Sequence, residues 1–123
     1  MNFYKPNNLP KLMVAPNGSR RMKSDHNKIP MTINEICHTA KNCYEAGAEA
    51  LHFHVRNKNG HHVLDAGLYQ ETLKELESRV PKMHLQITTE AIGIYSPEEM
   101  RNLIYSVDTP GISIGIKVMI PSM

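Results

Sequence analysis

The stretch LHFHVR, residues 51–56, places His52 and His54 one residue apart. On a strand, successive side chains point to opposite faces. His52 and His54 then project from one face with Ala50 and Arg56, while Leu51, Phe53 and Val55 project from the other. Two imidazoles on one face can turn a ring nitrogen toward a common point. That is ligand chemistry for a borderline cation such as Zn²⁺, which takes imidazole nitrogen at about 2.0–2.1 Å. A catalytic zinc uses three protein ligands and leaves one position open, so a His-x-His strand supplies two of the three. The same spacing also fits two histidines that are merely hydrogen-bonded in an interior or solvated, and spacing alone does not decide.

Position adds weight to the metal reading. Parallel α/β folds gather their active sites at the C-terminal ends of their strands, and the histidine pair sits at such an end. Asn17 ends the first apolar run in the same way, and Thr88 and Glu90 end the third. Arg20 and Arg21 follow Asn17 in a long loop. Adjacent guanidiniums near a strand end suit carboxylate or phosphate recognition, although a surface arginine pair commonly does nothing specific. The other histidines read as peripheral. His61 and His62 fall in the turn after the strand and are expected to be solvated. His26 is an exposed loop residue or a loop ligand, His38 lies on the outer face of a helix, and His84 opens the third strand at the end away from the chemistry.

The elements that must position these residues alternate regularly. KLMVAPN (11–17) reads as a short strand running into the polar loop GSRRMKSDHNKIP, and long loops in compact domains are commonly functional. A helix follows, with Thr32 and Glu35 as a capping box, apolar residues at helical spacing and Gly47 at its end. After the LHFHVR strand comes an Asn-Lys-Asn-Gly turn. A second amphipathic helix over 65–80 turns Tyr69, Leu73, Leu76 and Val80 inward. MHLQITTEA (83–91) is the third strand, with Leu85, Ile87 and Thr89 on one face and His84, Gln86, Thr88 and Glu90 on the other. Ser96, Pro97 and Glu99 open a third helix, and GISIGIKVMI (111–120) reads as a fourth strand. This β-α alternation makes a parallel sheet with right-handed crossovers. It fits a small doubly wound sheet or the first half of a (β/α)₈ barrel. No glycine-rich phosphate fingerprint follows the first strand, which disfavours the dinucleotide-binding fold. A full barrel needs about 250 residues, and the chain has 123.

Composition narrows the partners. Hydrophobic residues make up 41% and charged residues 21%, as in a folded globular domain rather than a disordered chain. The formal charge is +2 with lysines and arginines scattered, so no basic stripe argues for nucleic acid. No apolar run approaches the roughly 18 residues of a membrane helix, and no signal-peptide core is present. The expected location is the cytoplasm. Cys37 and Cys43 would lie about 9 Å apart along the first helix axis, beyond disulfide reach, so both are expected to be free thiols.

Taken together, VAPNGSRRMKSDHNKIPMT, EAGAEALHFHVRNKNGHHVLDAGLY and LQITTEA followed by SPEEM resemble the β-keto acid cleavage enzyme family, known also from 3-keto-5-aminohexanoate cleavage enzyme. The resemblance runs from about Lys11 to Pro121. It implies an α/β fold, the N-terminal half of a (β/α)₈ TIM barrel with about four parallel strands and three helices, as a single half-barrel domain over 1–123. It further implies a zinc-dependent retro-Claisen exchange, in which a β-keto acid and acetyl-CoA give acetoacetate and a new acyl-CoA. By the resemblance, His52 and His54 match the two histidine zinc ligands. Thr88 matches a hydroxyl position that holds the substrate carboxylate or keto group, with Thr89 beside it. Arg20 takes the loop position that meets the variable end of the substrate, where an arginine suits an acidic or polar tail.

The family's third ligand, a glutamate, and its base and carboxylate-binding residues come from late strands that this sequence does not include. Glu90 is the only carboxylate here whose strand parity allows it to approach the metal, and no family motif supports it. The expectation is therefore a half-barrel not competent alone, which joins a complementary C-terminal fragment or forms a homo-oligomer. A non-catalytic module that self-associates, with a structural zinc shared between two His-x-His strands, is the alternative.

Overall fold

The computed structural model describes residues 2–90 and 92–120. Strands and helices alternate as β1 (Met13–Val14), α1 (Ile33–Glu45), β2 (Ala50–His52), α2 (Ala66–Arg79), β3 (His84–Thr88), α3 (Pro97–Ser106), β4 (Ile112–Ser113) and α4 (Ile116–Met119). The strands form one parallel sheet in the order β1-β2-β3-β4. Sequential order with right-handed crossovers puts the connecting helices on one side of the sheet. A half-barrel has this order, whereas a doubly wound sheet reverses its strand order at a switch point.

Local sequence explains the helices. Thr32 Oγ1 accepts from Glu35 N at 3.1 Å and the Glu35 carboxylate accepts from Thr32 N, closing the expected capping box of α1. Beyond its end, Gly47 adopts φ +112°, a backbone region that favours glycine. Asp65 caps α2 by accepting from Leu68 N at 2.8 Å. Ser96 and Glu99 form a second capping box, with Pro97 opening α3.

Strand pairing fixes the two faces of the sheet. Ala50 pairs with His84 and His52 with Gln86, while Leu51 pairs with Leu85 and Ile87 with Ile112. The apolar set packs under the helices: Leu51, Phe53, Leu85 and Ile87 are buried with Ile36, Cys37, Ala40, Tyr69, Leu73, Leu76 and Leu103. The Phe53 and Tyr69 rings lie 5.8 Å apart and tilted, and the Tyr69 hydroxyl donates to Thr88 O at 3.3 Å. The opposite face carries Ala50, His52, His84, Gln86 and Thr88, the face that a barrel would enclose. Cys37 is buried, Cys43 half-buried, and both are free thiols. Among the described residues no helix is long and apolar enough to cross a membrane.

The expected strand over 111–120 is only partly present. β4 covers Ile112–Ser113, then Gly115 opens the single turn of α4. Its ladder ends with β3: Thr89 N donates to Ser113 O at 3.1 Å, and among the described residues no strand pairs with the segment beyond it. Only Met119 of that turn is buried, and Arg101 Nη1 of α3 reaches its carbonyl at 3.4 Å. Among the described residues there are therefore four helices rather than the expected three. Ala91, the last residue of the expected third strand, and Pro121 lie outside the described residues.

Candidate metal centre

β1 pairs with β2 at a 37-residue offset, Met13 with Ala50 and Val14 with Leu51. The paired strand ends at Val14, and Pro16 beyond it has no N–H to give. The side chain of Asn17 continues it at the same offset. Its Nδ2 donates to His54 O at 2.7 Å and its Oδ1 accepts from His54 N at 3.1 Å. A carboxamide has the donor and acceptor of a peptide unit, so Asn17 holds the His54 backbone as a neighbouring strand would. Asn17 Nδ2 also donates to Pro30 O at 3.2 Å, closing the long loop over the strand end.

Arg56 secures the same loop from below. It is buried, and its Nη2 donates to the carbonyls of Asn17, Gly18 and Arg21 at 3.1, 3.0 and 2.9 Å, while Nη1 donates to Gly60 O at 2.8 Å. Burial pushes its pKa down from the usual guanidinium value. Its partners among the described residues are backbone carbonyls and the Met22 sulfur, so this arginine organises the loop.

His52 and His54 share a face as expected, with ring centroids 5.3 Å apart. His52 is half-buried, and its Nδ1 lies 2.7 Å from Gln86 Oε1. An amide oxygen only accepts, so Nδ1 carries the proton and Nε2 keeps its lone pair. His54 is buried at 7% exposure, and its Nδ1 lies 3.1 Å from His62 Nε2. Burial drives the His54 pKa down to about 3, helped by its neighbours His62, His52 and Arg56. Burial and Arg56 bring His62 to about 4. Both rings are neutral near pH 7, the state in which imidazole binds a metal.

His62 corrects the sequence reading. It was expected to be solvated, and it is 2% exposed. The Asn57–Gly60 turn reverses the chain: Asn57 N donates to His61 O at 2.8 Å, and Arg56 bridges His62 in antiparallel sense. That return lays the His62 ring edge-on to His54, centroids 4.8 Å apart. The Asn-Gly turn was the available signal, since reading it as a hairpin would have paired residue 62 with the His54 strand. Gln86 was legible as a face-sharing residue, but its contact with His52 depends on cross-strand register.

The remaining candidates fall as follows. Arg20 is exposed and lines a cleft of about 550 Å³ with Ser19, His61, His62 and Tyr95. Thr88 is buried and its Oγ1 accepts from Glu90 N at 3.0 Å, leaving the hydroxyl proton to donate. Thr89 sits on the helix-facing parity and its hydroxyl donates to Ser113 O at 3.4 Å. Arg21 is exposed, 3.7 Å from Asp25. His26 is exposed, with Nδ1 accepting from Lys28 N, and His38 is exposed beside Asn42. Glu90 is exposed and lies over Gly115, where any β-carbon would strike its Oε1.

Two imidazoles on one face, one with its tautomer set by Gln86, fit two positions of a zinc site. Among the described residues no group of three histidine, cysteine or acidic side chains is placed to hold a metal ion. A third ligand would have to come from elsewhere.

A model of the beta-keto acid cleavage enzyme family matches residues 11–116. The chain is similar to the 3-keto-5-aminohexanoate cleavage enzyme of Fusobacterium nucleatum, 27% identical over 85 residues that cover 68% of this chain and 31% of that protein. It is similar to the enzyme of the same name from Acetoanaerobium sticklandii, 24% identical over 99 residues, 80% of this chain and 36% of the relative. A third relative is the 3-oxoadipate:acetyl-CoA acetyltransferase of Cupriavidus necator, 28% identical over 78 residues, 63% of this chain and 28% of that protein. The matched region spans about a third of the length of these relatives.

Proposed function

This chain belongs to the β-keto acid cleavage enzyme family, and we propose on that footing that it forms the metal-binding half of an enzyme that exchanges acyl groups between a β-keto acid and acetyl-CoA. The observation that carries the reading is the pair of imidazoles on one sheet face, with Gln86 holding His52 so that its Nε2 is the ligating atom. His52 and His54 would hold Zn²⁺. The chemistry such an ion supplies is Lewis-acid polarisation of a keto oxygen.

The chain's own residues do the rest of the positioning. Asn17 and Arg56 fix the strand end and the loop that carries Arg20. Arg20, exposed on its cleft, meets the distal end of the substrate and favours a carboxylate or polar tail. Thr88, with a free hydroxyl proton, donates to the substrate carboxylate or keto oxygen, with Thr89 beside it holding β4 in place. Coenzyme A ester and β-keto acid are the small-molecule partners, and the name of one relative, 3-oxoadipate:acetyl-CoA acetyltransferase, makes 3-oxoadipate the first substrate to try. The base and the third ligand lie outside this chain in this reading, so activity requires a complementary C-terminal segment.

The test is calorimetric titration of 3-oxoadipate into the full chain with and without one equivalent of Zn²⁺. Binding that requires zinc and disappears in a His52→Ala/His54→Ala variant is expected. A zinc-loaded chain that binds no β-keto acid would remove the reading.

The sheet edges favour a second reading. Leu12 and Met13 are exposed at the start of β1, and Ile114, Ile116, Val118 and Ile120 are exposed beyond β4. Apolar, unpaired edges favour association. In this reading the chain is a non-catalytic module that pairs with a second copy, and two His-x-His strands share a structural zinc. Light scattering separates the two: a dimer carrying half a zinc per chain supports the module.

A further inference from the structure

We propose that His62 is a positioning residue for His54, accepting the proton of His54 Nδ1 and so leaving Nε2 as the ligating atom. The proposal rests on the metal reading of His52 and His54, although the contact that carries it exists without a metal. The two strand histidines are held in parallel fashion. Each has its Nδ1 engaged by a neighbouring side chain, His52 by Gln86 at 2.7 Å and His54 by His62 at 3.1 Å. In each, Nε2 is the nitrogen that remains. The two devices come from different parts of the chain: Gln86 is the register partner of His52 on β3, whereas His62 is returned by the turn after β2 and bridged to Arg56.

Two facing ring nitrogens form a hydrogen bond only if one is protonated and the other is not. With the proton on His54 Nδ1, His62 Nε2 accepts, the His54 Nε2 lone pair is free, and the His62 proton sits on Nδ1. With the proton on His62 Nε2, His54 must carry its own proton on Nε2 and cannot ligate through it. Gln86 imposes no such choice, because its oxygen can only accept. A ligand histidine commonly has its second nitrogen bonded to a neighbouring group, which fixes its tautomer and orientation. The edge-on ring of His62, 2% exposed, can serve this role through a rigid contact. Its Nδ1 is buried with no partner among the described residues, so no described group on its far side selects the other tautomer.

The experiment combines zinc affinity of the full chain, by competition with a chromophoric chelator, with nitrogen-15 spectra of the imidazole rings. His62→Phe keeps an aromatic ring without an acceptor, and its zinc affinity is expected to fall 10–100-fold. His62→Gln, whose amide oxygen accepts, should recover most of that loss. Wild-type spectra should show His54 protonated on Nδ1, with nitrogen–nitrogen coupling across to His62 Nε2. A folded His62→Phe that binds zinc as tightly as wild type would overturn the proposal, as would His54 protonated on Nε2. If the wild-type chain takes up no zinc, the metal reading falls. The metal-free spectra then still decide the role of His62, since the coupling upholds it and its absence overturns it.

Discussion

Gln86 Oε1 lies 2.7 Å from His52 Nδ1, across a strand pair whose 34-residue offset makes the two residues register partners. The contact belongs to the sheet rather than to a loop, so the orientation of the His52 ring is set by the same pairing that builds the fold. Ligand histidines depend on such partners, whose loss commonly costs 10–100-fold in metal affinity.

Gln86→Met therefore separates fold from site. Gln86 is half-buried on the open face, and Met preserves its length and volume. The variant should unfold within about 1 kcal/mol of wild type and bind zinc 10–100-fold more weakly by chelator competition. Unchanged zinc affinity would show that Gln86 does not orient the ligand.

Asn17→Ala attacks the backbone of the other histidine. It strips His54 N and His54 O of their partner at a buried position, and each buried group left unpaired costs roughly 1–3 kcal/mol. Urea denaturation should show a loss of that order. A loss below about 0.5 kcal/mol would mean that the strand end holds without the side-chain rung.

Arg56→Lys tests the clamp on the loop. A lysine cannot span the four carbonyls that the planar guanidinium reaches. The loop carrying Arg20, Arg21 and Lys23 should open, and trypsin should cleave there several-fold faster while α2 and α3 remain protected. Cleavage at the wild-type rate would contradict the assignment.

Glu35 gives a pH dependence with a fixed sign. The Met31 amide, and beyond it Lys23 and Thr32, hold its carboxyl below the usual value of 4.5 despite partial burial. A depressed folded pKa means that the contribution is present above that usual value and lost as the pH falls through the folded one. Thermal melts between pH 6 and pH 3 should therefore show wild type losing more stability than Glu35→Gln, whose side-chain oxygen still accepts at the cap. Parallel curves would remove the assignment.

Much of this was legible because the relevant pattern is local. Alternation placed His52 and His54 on one face and Leu51, Phe53 and Val55 on the other, and both capping boxes were readable from residues three apart. What escaped depends on where the chain goes next. His62 is buried because a four-residue turn folds it back on the strand. Gln86 meets His52 through a register that no local window contains. The run from Ile112 to Ile120 alternates as a strand should, yet pairing ends with β3 and Gly115 turns the remainder into a helical turn.

The most direct test of the account is zinc content per chain, measured by mass spectrometry on the untagged chain alongside its molar mass. The account predicts bound zinc that is lost in His52→Ala and in His54→Ala while both variants keep the wild-type circular dichroism. A folded wild-type chain that takes up no zinc at micromolar concentration, or one whose zinc survives both substitutions, would contradict it.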